Sequence, residues 1–147
     1  TPKPSSAASD VYKRQALEGD AARLAALRRT DEQLKKIADA HAAFADSLTH
    51  GQVSPEADLA FHASIAEASG NDFYLGVLES IHESINGFMR LTLSLTRTGS
   101  RQRAQRVVDE HATILDSIRE QDSERARVAM QFHLGQARHR LVDRERD

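Results

Sequence analysis

The chain has 147 residues, which is room for one domain with a hydrophobic core. It contains no cysteine, so disulfides, thiolate zinc sites, iron–sulfur clusters and cysteine nucleophiles are excluded. The formal net charge of −2 argues against a domain that grips nucleic acid by itself. The sequence shows neither an export signal nor an apolar run of the roughly 18 residues that a membrane span needs. We therefore expect a cytoplasmic protein with no membrane partner.

Composition favours an all-helical fold. Apolar residues make up 39% of the chain and aromatic residues only 5%, which indicates an Ala/Leu-rich helical core rather than a β-sandwich. Residues 1–15 show no helical or strand period and resemble translated adapter sequence. We interpret them as a disordered leader whose place in the native protein is in question, and residues 16–147 as one helical domain.

Six helices are predicted, and capping signals separate them. Thr30 and Gln33 form a capping box before the second helix. Ser54 as N-cap and Pro55 begin the third helix, which Gly70 closes. The predicted bounds are about 16–29, 31–48, 55–70, 72–96, 100–120 and 123–142. Because short connections favour antiparallel neighbours, we predict an antiparallel bundle of about six helices.

Four polar residues occupy inward-facing positions of this bundle. Asp58 and His62 are four residues apart in the third helix and therefore share a face. His111 and His133 stand where the apolar period of the fifth and sixth helices requires core residues. A buried carboxylate needs a partner, so we expect the four groups to converge.

Two interpretations fit this pattern. One carboxylate and three imidazoles suit Zn, Ni, Mn, Fe or Co, and they would leave the ion net positive with open positions for an anion. Glu110 or Gln131 is a candidate to orient the second nitrogen of an imidazole. The other interpretation is a helical Asp/His pair with structural core histidines, and periodicity alone does not choose between the two. His41, His50 and His139 are expected to face solvent or to lie at helix ends.

Other chemical signals are weak. Glu79 and His82 form a Glu-x-x-His pair, but a di-iron bundle needs a second copy, which the sequence lacks. The zinc-protease and nucleophile-elbow motifs are absent. The C-terminal arginines alternate with acidic residues, which is typical of a solvated helix face. We therefore predict no catalytic residues.

Five blocks of sequence carry a family resemblance. They are Leu17-Glu18 with Ala21 to Ala26, Asp58 to His62, Ala68 to Asn71, Glu110-His111 with Ile114-Leu115, and Asp122 with Ala126, Met130 and His133-Leu134. In order and spacing they resemble the C-terminal effector domain, or FCD domain, of the FadR branch of GntR-type bacterial transcription regulators. The resemblance extends over about residues 16–142.

This resemblance implies an all-helical domain, usually dimeric, that binds a small carboxylate or sugar-acid effector and alters DNA binding by an N-terminal winged helix-turn-helix. In many family members an Asp and three His hold a divalent metal, and the residues that match those positions are Asp58, His62, His111 and His133. The winged-helix portion is missing from this chain. The Arg that commonly precedes the Leu-Glu block is expected to have no counterpart.

We therefore predict the ligand-sensing domain of a metabolite-responsive transcription regulator, not an enzyme. It is expected to bind Zn, Ni, Mn or Fe, to form a homodimer, and to contact DNA only through the missing domain. Arg90 is a candidate second contact for the anionic effector. The alternatives are a metal-dependent enzyme that activates water at the same Asp/His centre, and a helical interaction module with structural histidines.

Overall fold

The computed structural model describes residues 4–49, 54–80 and 101–142, which form six helices and the short connections between some of them. The helices are α1 (Pro4–Arg28), α2 (Asp31–Thr49), α3 (Pro55–Ala68), α4 (Asp72–Ser80), α5 (Arg101–Arg119) and α6 (Ser123–Val142). No strand occurs within these ranges, so the predicted all-helical fold is confirmed. None of the described helices is both long and apolar enough to cross a membrane. The predicted extension of the fourth helix to residue 96 lies outside the described residues.

The first helix begins earlier than expected. Residues 1–15 were predicted to be disordered, but α1 starts at Pro4 and includes the rest of that segment. Proline suits a first helical turn, where its missing N–H would have had no intrahelical acceptor. The segment also contacts α6, because the Gln15 side-chain amide donates a hydrogen bond to the main-chain carbonyl of Gln131 at 3.1 Å. This long-range contact stabilises a helix whose own sequence has little amphipathic period.

The helix ends follow the predicted capping signals. Thr30 and Gln33 exchange hydrogen bonds of 3.0 and 3.1 Å, which complete the capping box before α2. Ser54 Oγ accepts a 3.1 Å hydrogen bond from the Ala57 amide at the start of α3. After α3 the chain turns at Gly70, whose φ of +72° is left-handed and therefore favours glycine.

Helices α1 and α6 pack antiparallel, and most buried apolar side chains of the described residues form one main cluster. Arg138, near the end of α6, donates to the Tyr12 hydroxyl near the start of α1 at 2.8 Å. Gly19 permits close approach of these two helices, since a Cβ there would stand 3.0 Å from Gln131 Cγ. The buried core side chains are Ala22, Ala25, Ala26, Ile37, Phe61, Ile65, Ala68, Ile114, Leu115, Ile118, Ala126, Ala129, Met130 and Leu134.

Two similar truncations, one in the core and one at the surface, should lower the free energy of unfolding by different amounts. Ile118 is fully buried, whereas Leu27 is 53% exposed. We expect Ile118→Ala to lower the free energy of unfolding by about 2–5 kcal/mol, because it removes buried methyl groups and leaves a cavity. Leu27→Ala should change that free energy by no more than about 0.5 kcal/mol. Urea unfolding followed by circular dichroism measures both, and equal losses would contradict the assigned core.

Candidate metal centre

Three helices bring four potential metal ligands together in the interior. Asp58 and His62 come from α3, His111 from α5 and His133 from α6. All four residues are buried, with at most 8% of their surface exposed. One potential ligand atom of each lies within 4.8 Å of the other three. The structure therefore places the four predicted residues around one point, which we call the candidate metal centre.

The distances within the candidate metal centre suit a shared cation. Asp58 Oδ1 lies 3.5 Å from His62 Nε2 and 3.1 Å from His111 Nε2. The Nε2 atoms of His111 and His133 are 3.2 Å apart. Ligand atoms at about 2.1 Å from one ion are separated by about 3.0–4.2 Å. The three distances above lie in this range, and the remaining pairs, which are at most 4.8 Å apart, would need only a small inward shift.

Two potential ligand atoms of the centre are buried without an aligned hydrogen-bond partner among the described residues. They are Asp58 Oδ1 and His62 Nε2. Buried polar atoms nearly always have a partner, and a divalent ion between them would provide one. The donor set of one carboxylate and three imidazoles also matches the ligands that zinc and similar ions take in proteins. The residues present therefore fit a divalent metal.

Two glutamates contact the outer nitrogens of two imidazoles. Glu18 Oε1 lies 2.7 Å from His62 Nδ1, and Glu110 Oε1 lies 2.8 Å from His133 Nδ1. The sequence predicts this role for Glu110 but not for Glu18, because nothing in the period of α1 shows which helix Glu18 faces. The only signal was its place in the Leu-Glu block. The other candidate, Gln131, packs against α1 instead.

The third imidazole is held by aromatic packing. The His111 ring stacks on Phe61 with a centroid distance of 4.3 Å, and Phe44 lies 4.9 Å away. His111 Nδ1 is buried without a hydrogen-bond partner among the described residues. His41 was expected to face solvent or to lie at a helix end, but it is half-buried within α2, and its ring stands 6.4 Å from that of His111. Contact with Phe61 explains this difference, since the two rings are 5.9 Å apart.

Buried charges shift the pKa values of these groups. Burial by itself would lower the pKa of His62, but the charges of Glu18 and Asp58 outweigh it and raise that pKa to about 9. Burial opposes ionisation of Glu18, yet Arg14 and His62 lower its pKa to about 2. Burial lowers the pKa of His111 to about 3. The centre therefore favours a positive charge at His62 and a neutral imidazole at His111.

A small cavity opens beside His62. Its wall includes Arg14, Glu18 and Tyr74, from α1 and α4. Arg14 Nε donates to Glu18 Oε2 at 2.7 Å, whereas Arg14 Nη2 is buried without a hydrogen-bond acceptor among the described residues. The wall of the cavity thus carries a cationic side chain with an unused N–H donor.

Arg14 corrects one expectation drawn from the family resemblance. An Arg preceding the Leu-Glu block was expected to be absent, but Arg14 lies three residues before Leu17 and is part of α1. The difference arises because residues 1–15 lack a periodic pattern in the sequence, whereas in the structure they contribute to α1 from Pro4 onward. Arg90, the candidate contact for an anion, and His50 lie outside the described residues. His139 is exposed, as predicted.

Comparison with known proteins identifies the family. Residues 11–136 match the family model of the FCD domain. The chain is 30% identical over 121 residues to the HTH-type transcriptional regulator LutR of Bacillus subtilis (strain 168), covering 82% of this chain and 55% of LutR. It is 26% identical over 117 residues to the HTH-type transcriptional repressor NanR of Escherichia coli (strain K12), a match that covers 80% of this chain and 43% of NanR. The chain thus spans about half the length of these relatives.

The fold is also similar to that of a solved regulator. The structure matches Streptococcus agalactiae GntR with a TM-score of 0.72 and 26% sequence identity, over 95% of this chain and 61% of that chain. The matched relatives are transcription regulators and not enzymes, which agrees with the predicted class. The predicted resemblance is confirmed, and the chain belongs to the FCD domain family of GntR-type regulators.

Proposed function

We propose that this chain is the ligand-sensing domain of a metabolite-responsive transcription regulator and that it holds a divalent metal ion. The observation that carries the proposal is the convergence of four buried donors within 4.8 Å of one another. The residues that would hold the ion are Asp58, His62, His111 and His133. Their nitrogen and oxygen atoms suit Zn, Ni, Mn or Fe.

The proposed effector is a small carboxylate or a sugar acid. A bound ion would supply open coordination positions for an oxygen donor, since four protein ligands leave a five- or six-coordinate shell incomplete. The unused N–H of Arg14, beside His62 in the cavity wall, suits the second oxygen of such an acid. The cavity has room for about one water molecule, so the Arg14 or Tyr74 side chain would move when an acid enters.

The net charge around a metal-loaded centre would be lower than the four ligands alone predict. Three imidazoles and one carboxylate alone would leave a divalent ion net positive. Glu18 and Glu110 add two negative charges next to the ligands, and Arg14 adds one positive charge. The loaded centre would then be about neutral. An acid would bind by coordination and by hydrogen bonding to Arg14 rather than by net charge attraction.

The remaining parts of the proposal concern the whole regulator. We propose a cytoplasmic homodimer that contacts DNA through a winged helix-turn-helix outside this chain, with the helical domain described above as its sensing part. The matched regions make up 55% of LutR and 43% of NanR, so each of these relatives has further sequence outside the part that this chain matches. An effector would act by binding one conformation of the domain better than another, with coupling of about 1–3 kcal/mol.

The metal site predicts a difference between two histidines of α6. Isothermal titration of the untagged protein with Zn²⁺ should show one ion per chain. His133→Ala should abolish most of this binding, because it removes one of the four donors, whereas His139→Ala should leave it unchanged, because His139 is exposed. Removal of the ion by a chelator should lower the melting temperature of the parent, since the metal binds the folded state. Equal Zn²⁺ affinity of the two variants would contradict the proposed ligand set.

The proposed effector class predicts metal-dependent stabilisation by an acid. Gluconate should raise the melting temperature of the Zn²⁺-loaded protein, because its carboxylate would reach the ion and Arg14. Sorbitol, which has a similar carbon chain without a carboxylate, should have no such effect. Differential scanning fluorimetry with loaded and chelated protein measures this difference. Stabilisation by gluconate that is equal without metal would argue against an effector bound at the ion.

A further inference from the structure

Glu18 and Glu110 make equivalent contacts on two sides of the candidate metal centre. Each carboxylate accepts a hydrogen bond from an imidazole Nδ1–H, with O···N distances of 2.7 Å to His62 and 2.8 Å to His133. Each lies on a different helix from its histidine, since Glu18 is on α1 and Glu110 is on α5. Both glutamate side chains are largely shielded from water, with 12% and 9% of their surface exposed. The two contacts are therefore buried links between helices as well as links to the centre.

We propose that Glu18 and Glu110 are positioning residues that hold His62 and His133 with Nε2 directed at the metal ion, and thereby raise the affinity of the centre for it. This inference rests on the proposed metal site. It concerns residues outside the set of four ligands.

The chemistry of imidazole supports this role. An Nδ1–H that donates to a carboxylate fixes the tautomer in which the Nε2 lone pair is free for a metal. Rotation of either ring by half a turn would break this hydrogen bond and place a carbon at the metal point. The negative charge of the acceptor also makes the ring a better donor to a cation. Both effects act on affinity and on coordination geometry.

The third imidazole provides an internal contrast. His111 has no carboxylate at Nδ1, and its ring is fixed by the stacked Phe61 instead. Only two of the three histidine ligands should therefore depend on a glutamate. The alternative is that the glutamates merely tie helices together, in which case their loss would reduce stability without changing how the protein binds a metal.

Cobalt binding separates these two roles. We would measure Co²⁺ affinity by chelator competition and record the visible absorption bands for the parent, Glu110→Gln, Glu110→Ala, Glu18→Gln and Glu18→Ala. We expect both alanine variants to bind Co²⁺ about 10–100-fold more weakly, with shifted absorption bands. The glutamine variants should lose less, because the amide keeps an acceptor oxygen but not the charge.

A matched control comes from the same pair of helices. Glu120, just after α5, pairs with Arg125 of α6 at 3.0 Å but is 62% exposed and contacts no histidine of the centre. Glu120→Ala should leave Co²⁺ affinity and spectrum as in the parent. Parent-like affinity and spectra in both alanine variants would overturn the inference while leaving the proposed metal site intact. If an alanine variant does not fold, its glutamine variant is compared with the parent instead, and parent-like Co²⁺ affinity and absorption bands would count against the inference. A parent that binds no Co²⁺ would overturn both proposals.

Discussion

Burial of the Asp58 carboxylate is the constraint on which the interior of this domain depends. A carboxylate inside a protein is stable only when donors or cations surround it. Here the partners are His62, one turn along the same helix, and His111 from α5. Burial opposes ionisation of Asp58, but the charge of His62 and the contacts with both histidines hold its pKa well below the ordinary value. Separation of α3 from α5 would remove the His111 contact and leave His62, on the same helix, as the remaining one of these two partners.

A second layer of contacts extends from this carboxylate to the cavity. His62 contacts Glu18, and Glu18 in turn pairs with Arg14 in the cavity wall. Charges of opposite sign thus alternate from the core to the cavity. Under the proposed function, this line of contacts would let an acid in the cavity and an ion in the centre affect each other's binding. Such coupling is reciprocal, so each ligand would change the affinity for the other by the same factor.

The sequence allowed accurate prediction of features that depend on local chemistry. The capping residues Thr30, Ser54 and Gly70 act through neighbours only a few positions away, and they mark helix ends as expected. The burial of His111 and His133 followed from the period of their helices, because an inward-facing position is set by residues three or four apart.

Features that depend on distant contacts were missed. The first part of α1 contacts α6 through Gln15 and Gln131, which are 116 positions apart, and no local pattern indicates this contact. Glu18 is 44 positions from His62, and nothing local indicates which histidine it contacts. The half-buried state of His41 likewise depends on rings from α3 and α5. Residues 1–15 have no periodic pattern of their own, so nothing local in the sequence indicates that Arg14 lines the cavity.

Binding of a divalent ion by one Asp and three His of the core can be measured by elemental analysis and X-ray absorption of untagged protein that is purified without added metal. We expect about one divalent ion per chain, with nitrogen and oxygen neighbours at about 2.0–2.2 Å and outer-shell scattering from imidazole rings. Protein that is isolated without metal, and that retains none after exposure to Zn²⁺ or Ni²⁺ and gel filtration, would contradict this expectation.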